Sequence, residues 1–183
     1  DDADLAAAVK HGVMSMMTNT GQSCNAPSRM LVPAAKLAEA EALAAATVAK
    51  IKVGDPENAE TTMGPLANEA QFGRVQKMIQ RGIDEGAKVV AGGVGKPAGL
   101  EAGYFAQPTI FSNVNNQMDI ARQEIFGPVL CMIPYAGIDE AVAIANDTPY
   151  GLSGYVYAAT PDAARVIAAR LRTGNVHLNG AGG

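Results

Sequence analysis

Pro128-Val129-Leu130-Cys131-Met132-Ile133 is an unbroken apolar run that comes directly after a glycine, Gly127. A strand with one wet face alternates apolar and polar residues, whereas a run apolar at every position suits a strand covered on both faces, as in a parallel sheet flanked by helices. Outward from this run, short apolar stretches alternate with segments of helical period. Residues 28–32, 87–91, 107–111, 152–158 and 175–179 read as further strands, the first of them stopped by Pro33. Helical spacing joins Leu5, Val9, Val13 and Met16 or Met17 behind an Asp2 or Asp4 cap, and it joins Leu37, Ala40, Ala44, Val48 and Ile51. It recurs in Val75, Met78, Ile79 and Ile83, opened by Asn68-Glu69-Ala70-Gln71 with a capping-box spacing and closed by Gly86. Gly137-Ile138-Asp139 starts another helix, and residues 118–125 suit a loop or short helix. Thr160-Pro161 supplies a cap and a first-turn proline for a helix over 162–172 that ends in cations, where the helix dipole favours them. The pattern predicts an α/β fold with a mostly parallel sheet.

With 183 residues, the chain is long enough for one domain and one core. Its net charge of -4 comes without any Lys/Arg block, so nucleic acid and anionic membranes are not expected partners. No apolar run reaches the roughly 20 residues of a membrane span, and Asp1-Asp2-Ala3-Asp4 is the opposite of a basic signal-peptide entry. A cytoplasmic location is expected. The 2 cysteines lie far apart, and with only His11 and His177 beside them no metal-ligand spacing occurs. Gly93-Val94-Gly95-Lys96-Pro97-Ala98 fits a loose dinucleotide fingerprint, but Pro97 and the glycines beyond it open no helix. It reads as a surface loop.

The chemistry centres on Cys24, which stands in the turn-forming stretch Asn19-Thr20-Gly21-Gln22-Ser23-Cys24-Asn25-Ala26-Pro27 between a helical run and a strand-like one. An isolated cysteine is most often a buried apolar residue. Here the wider context changes that reading. Asn19-Thr20-Gly21-Gln22-Ser23-Cys24, Met63-Gly64-Pro65-Leu66, Gly103-Tyr104-Phe105 with Pro108-Thr109, Glu124-Ile125-Phe126-Gly127-Pro128-Val129, Asn146-Asp147-Thr148-Pro149-Tyr150-Gly151-Leu152 and Gly174-Asn175-Val176-His177-Leu178-Asn179 occur in that order along the chain. Together they resemble the NAD(P)-dependent aldehyde dehydrogenases, and the match runs from near Asp1 to Asn179.

The resemblance implies a three-layer α/β/α catalytic domain. It makes Cys24 the nucleophile that adds to an aldehyde carbonyl, forming a thiohemiacetal and then a thioester on the way to a carboxylic acid. Glu124 would hold the nicotinamide ribose hydroxyls and Phe126 would pack beside the nicotinamide of NAD or NADP. Gln71 and Arg74 would stand near the adenosine ribose, with a solvated helix face as their ordinary explanation. Gln22 and Asn25 flank the thiol and could offer amides to an oxyanion, although such side chains more often fix turns; the Cys24 N–H is the better donor. Asn179 matches an asparagine near the active site, with strand-end capping as its plain alternative. Cys131 keeps the buried structural reading.

The resemblance also implies that residues 1–183 are a piece of the catalytic domain cut at both ends, lacking the Rossmann cofactor domain and the water-activating glutamate. The expected substrate is a small-molecule aldehyde, the expected assembly a homo-oligomer of the full-length protein, and little activity is expected of the isolated piece. An acyl-CoA or acyl-phosphate reductase, or a non-redox thiol or interaction module, remains an alternative.

Overall fold

The strands of the computed structural model, which describes residues 2–180, are β1 (Arg29–Pro33), β2 (Lys88–Ala91), β3 (Thr109–Ser112), β4 (Val129–Tyr135), β5 (Ser153–Val156) and β6 (Asn175–Leu178). The helices are α1 (Leu5–Met17), α2 (Leu37–Val48), α3 (Glu69–Asp84), α4 (Asp119–Arg122), α5 (Ile138–Asn146) and α6 (Pro161–Ala168). Four strands form one sheet in the order β1-β4-β3-β2, while β5 and β6 pair in a sheet of their own. β4 is parallel to both neighbours, with Arg29 opposite Cys131 and Thr109 opposite Val129, and β5 is parallel to β6. At the sheet edge β2 runs antiparallel to β3, and an irregularity between Val89 and Ala91 shifts its register.

The apolar run at β4 is covered on both faces, and its residues alternate between two cores. Val129, Cys131 and Ile133 join Phe111, Val75, Ile79 and Ile120 on the α3/α4 side. Leu130 and Met132 join Ile110, Val9, Val13, Met16, Ala40 and Ala44 on the α1/α2 side. Helices on both faces of a mostly parallel sheet make the expected three layers. Full burial of side chains such as Phe111, Ile110 and Leu130 contributes about 1.5–3 kcal/mol each. A smaller third cluster, Val156, Ala158 and Ala164, packs α6 on the β5/β6 pair. The single core expected from length is therefore divided by the sheet and supplemented by this satellite.

Local signals set several helix ends. Asp4 Oδ1 accepts from Ala7 N at 3.0 Å and Asn68 Oδ1 from Gln71 N at 2.9 Å, satisfying orphan first-turn amides. At the end of α3, Gly86 takes φ 85°, and the bonds Ala87 N to Gly82 O and Gly86 N to Ile83 O close a Schellman turn.

Two helices are shorter than their periodicity suggests. The pattern over Leu37 to Ile51 is helical only to Val48. The helix expected over 162–172 is Pro161–Ala168, with Thr160 Oγ1 capping Ala163 N at 3.2 Å. Arg170 and Arg172 lie beyond its end, where both meet tertiary partners: Arg170 reaches Asp139 at 2.7 Å, and Arg172 donates to the Asn146 and Thr148 carbonyls at 2.8 Å each. The expected chain end at 181–183 lies outside the described residues.

Candidate active site

α1 ends in a tight turn over Thr18–Gly21, where Asn19, Thr20 and Gly21 all take positive φ, 51°, 59° and 68°. For a β-branched residue such as Thr20 this is a rare conformation, and it persists only where surrounding bonds over-determine it. Thr20 Oγ1 donates to the Gly64 carbonyl at 3.0 Å, Asn19 Nδ2 to the Gln22 carbonyl at 2.9 Å, and Ala67 N to Gln22 Oε1 at 2.8 Å. The 63–67 stretch thus holds the turn and sets the direction in which Ser23 and Cys24 leave it. Cys24 emerges exposed, and neither its thiol nor its N–H bonds to any described residue.

Across from it stands the 124–127 turn. Cys24, Asn25, Glu124 and Phe126 line one cleft of about 840 Å³, which passes between β1 and β5. The Glu124 carboxylate is exposed and makes no hydrogen bond or ion pair with a described residue. Phe126 has φ 57° and leaves part of its ring exposed. The Glu124 N–H donates to the Tyr150 hydroxyl at 3.2 Å, so the 146–152 loop supports this turn from outside. That loop is itself secured by Arg172 on the Asn146 and Thr148 carbonyls and by Gly174 N on the Gly151 carbonyl at 2.8 Å.

Behind the loop lies a half-buried cation. Arg29 on β1 donates to Asn116 Oδ1 at 2.8 Å and to the Ile144 and Ala145 carbonyls at 3.0 Å each, so it caps the last turn of α5. Burial pulls its guanidinium below the usual arginine range, opposed by Asp147. The Asp147 carboxyl sits below its usual range because Arg122, foremost, then Asn116 and Gln117 bond to it. Cys131 is the converse of Cys24: 1% exposed, with burial pushing its thiol up to about 12.

The structure brings Cys24, Asn25, Glu124 and Phe126 to one cleft, but it gives the remaining expected residues other surroundings. Gln22 accepts from Ala67 N and donates to the Asn19 and Pro65 carbonyls at 3.3 and 3.5 Å, which fixes the turn and leaves no donor for an oxyanion. Asn25 offers its backbone carbonyl to the Tyr155 hydroxyl at 2.8 Å, and its side chain bonds to no described residue. Asn179, at φ 50°, accepts from Ala158 N at 2.9 Å, which is strand-end capping. Gln71 and Arg74 are not a free helix face: Gln71 Nε2 donates to the Ile125 and Phe126 carbonyls at 3.1 and 2.6 Å, and Arg74 donates to the Glu124 carbonyl.

Thr20, Tyr150 and Tyr155 do not stand out in the sequence as site residues, because their roles are partnerships across 26 to 130 positions of chain. The first two lie inside stretches that carry the family resemblance, the one signal that points to them. The imidazole of His177 stacks on Tyr155 with centroids 4.9 Å apart, and that of His11 tilts against Tyr157 at 5.7 Å, so both histidines pack against aromatic rings. Among the described residues no group of three or more His, Cys, Asp or Glu could hold a metal ion, and no helix is long and apolar enough to cross a membrane.

Comparison with known proteins agrees with this fold. The chain is 62% identical over 181 residues to a 3-succinoylsemialdehyde-pyridine dehydrogenase from Pseudomonas sp, covering 99% of this chain and 38% of that protein. Among solved structures, a mutant of aldehyde dehydrogenase C from Pseudomonas syringae, complexed with NAD+ and octanal, superposes with a TM-score of 0.98 at 57% identity, over 100% of this chain and 38% of that one. An aldehyde dehydrogenase from Mycobacterium tuberculosis complexed with NAD+ gives 0.96 at 43% identity, with the same coverage of 100% and 38%. The chain thus spans 38% of the length of these relatives. The model of the aldehyde dehydrogenase family matches residues 1–182, and the chain belongs to that family.

Proposed function

We propose that these residues form the nucleophile-bearing part of an NAD(P)+-dependent aldehyde dehydrogenase, working with a cofactor domain and a water-activating base outside residues 1–183. The observation that carries this reading is the pairing of an exposed, unengaged Cys24 with an unengaged Glu124 carboxylate on one cleft. Two solved relatives hold NAD+, and one of them holds octanal as well, which supports the same use of the cleft. The proposal extends to a cytoplasmic homo-oligomer acting on small-molecule aldehydes.

The chain's own groups suit the chemistry. The Cys24 sulfur forms a bond to the aldehyde carbon while the carbonyl electron pair moves onto oxygen, and the free Cys24 N–H can donate to that oxyanion. Glu124 presents two acceptor oxygens, the arrangement that vicinal ribose hydroxyls need, and the exposed part of Phe126 offers a flat apolar surface for a ring. NAD(P)+, when bound, supplies the acceptor for the hydride that leaves the former aldehyde carbon. Water then cleaves the resulting carbon–sulfur bond, releasing a carboxylic acid and restoring the thiol.

The test is aldehyde-dependent NAD(P)H formation by the polypeptide that carries this chain, compared with its Cys24→Ala variant, with acyl-CoA and acyl-phosphate as rival substrates. Oxidation should require Cys24. Preferential reduction of the acyl donors, or full activity without Cys24, overturns the reading.

A further inference from the structure

Gln71 is the third residue of α3, at the position where a capping box sends a Gln or Glu side chain back to the N-cap amide. Only half of that device is built. Asn68 Oδ1 accepts from Gln71 N at 2.9 Å, but the Gln71 side chain turns away from its own helix and donates to the Ile125 and Phe126 carbonyls, 54 and 55 residues away. One turn later, Arg74 donates to the Glu124 carbonyl. Three consecutive carbonyls, 124 to 126, therefore point at two side chains of one rigid helix.

The clamped backbone is the one that most needs holding. Phe126 sits at φ 57°, a conformation that costs free energy for a non-glycine residue and persists only where its surroundings hold it. The next residue, Gly127, lies so close to α3 that a Cβ on it would stand 2.4 Å from Val75 Cγ2. α3 thus grips the segment from both of its sides, by hydrogen bonds at 124–126 and by packing at 127. On the far side, the Tyr150 hydroxyl accepts the Glu124 N–H.

We propose that Gln71 and Arg74 are positioning residues: by binding the 124–126 carbonyls they fix the left-handed turn that presents the Glu124 carboxylate and the Phe126 ring to the cleft. They act through the backbone and need not touch the cofactor. This rests on the reading of Glu124 and Phe126 as cofactor-facing groups.

Gln71→Met and Arg74→Met keep length and helix preference while removing the donors. The first measurement is exchange of the Glu124 amide, which bonds to the Tyr150 hydroxyl, in the folded protein; it should quicken by roughly ten-fold in each variant, the size of effect that one net hydrogen bond carries. The second is steady-state kinetics of the polypeptide that carries this chain. The KM for NAD+ should rise by roughly ten-fold, with the rate of Cys24 alkylation by iodoacetamide unchanged, since the cysteine turn is held by other residues. Arg74→Lys, which keeps a donor, should recover part of the loss. Unchanged exchange in folded variants overturns the clamp. Faster exchange with an unchanged KM, or slowed Cys24 alkylation in step with it, overturns the positioning role. If the unsubstituted protein oxidises no aldehyde, the functional reading fails and the positioning role falls with it, while exchange still decides whether the clamp exists.

Discussion

Gly21 and Gly127 meet backbone to backbone: a Cβ placed on Gly21 would stand 2.2 Å from the Gly127 carbonyl oxygen, closer than real Cβ atoms approach. The turn that presents Cys24 is thereby seated directly on the turn that presents Glu124 and Phe126. Gly127 in turn lies against Val75 of α3, while the turn that presents Cys24 keeps its own bonds to the 63–67 stretch.

Gly21→Ala should be costly for two separate reasons. The residue sits at φ 68°, and its new methyl would collide with a backbone atom that cannot rotate away. A loss of about 2–3 kcal/mol is expected, read as a lower urea midpoint, together with altered Cys24 reactivity. A variant with unchanged midpoint and unchanged alkylation rate would mean that the two turns are not packed as described.

The two thiols should separate cleanly by reactivity. Cys24 is exposed, whereas Cys131 is buried against Ile120 and Arg29 with its proton held up to about 12. Thiolate is the reacting form, so iodoacetamide at neutral pH should label Cys24 first, with Cys131 reacting only on global unfolding. Peptide mapping by mass spectrometry measures both rates, and early labelling of Cys131 contradicts the burial.

Alkaline pH should weaken the fold through Cys131. Its folded pKa, about 12, lies above the ordinary value of 9.0, so the folded chain keeps a proton that the unfolded chain releases. Stability is therefore fully present below about pH 9 and declines as pH rises towards 12, by up to about 1.4 kcal/mol per unit for this one proton. Cys131→Ala removes the titrating group. Chemical unfolding at stepped pH should show a steeper alkaline decline in the unsubstituted protein than in this variant.

Arg29→Met should lower stability by about 3 kcal/mol, because the Ile144 and Ala145 carbonyls and Asn116 Oδ1 would lose their donor inside the fold. Arg29→Lys should recover little, since one ammonium cannot reproduce a planar fork across these acceptors. Denaturant titration of both variants checks this, and full recovery by lysine would show that charge alone matters.

The sequence by itself determined the alternation of strands and helices, the buried central strand and the caps of α1, α3 and α6. Those features depend on residues within a few positions of one another: the apolar run at Val129 to Ile133, the Asn68 cap, the glycine at position 86. It also singled out Cys24, Glu124 and Phe126, because the ordered stretches around them form a family pattern. Only the tertiary structure decided how those groups are held. Whether Gln71 would close its own capping box or reach across to the Ile125 and Phe126 carbonyls depends on which acceptor the fold brings within 3.1 Å. Likewise Arg170 and Arg172 read as the end of a helix, yet they lie beyond it, with side chains bound to Asp139, Asn146 and Thr148, more than 20 positions away. Local spacing carries the preferences of the backbone; the partners of long polar side chains are set by contacts that spacing does not encode.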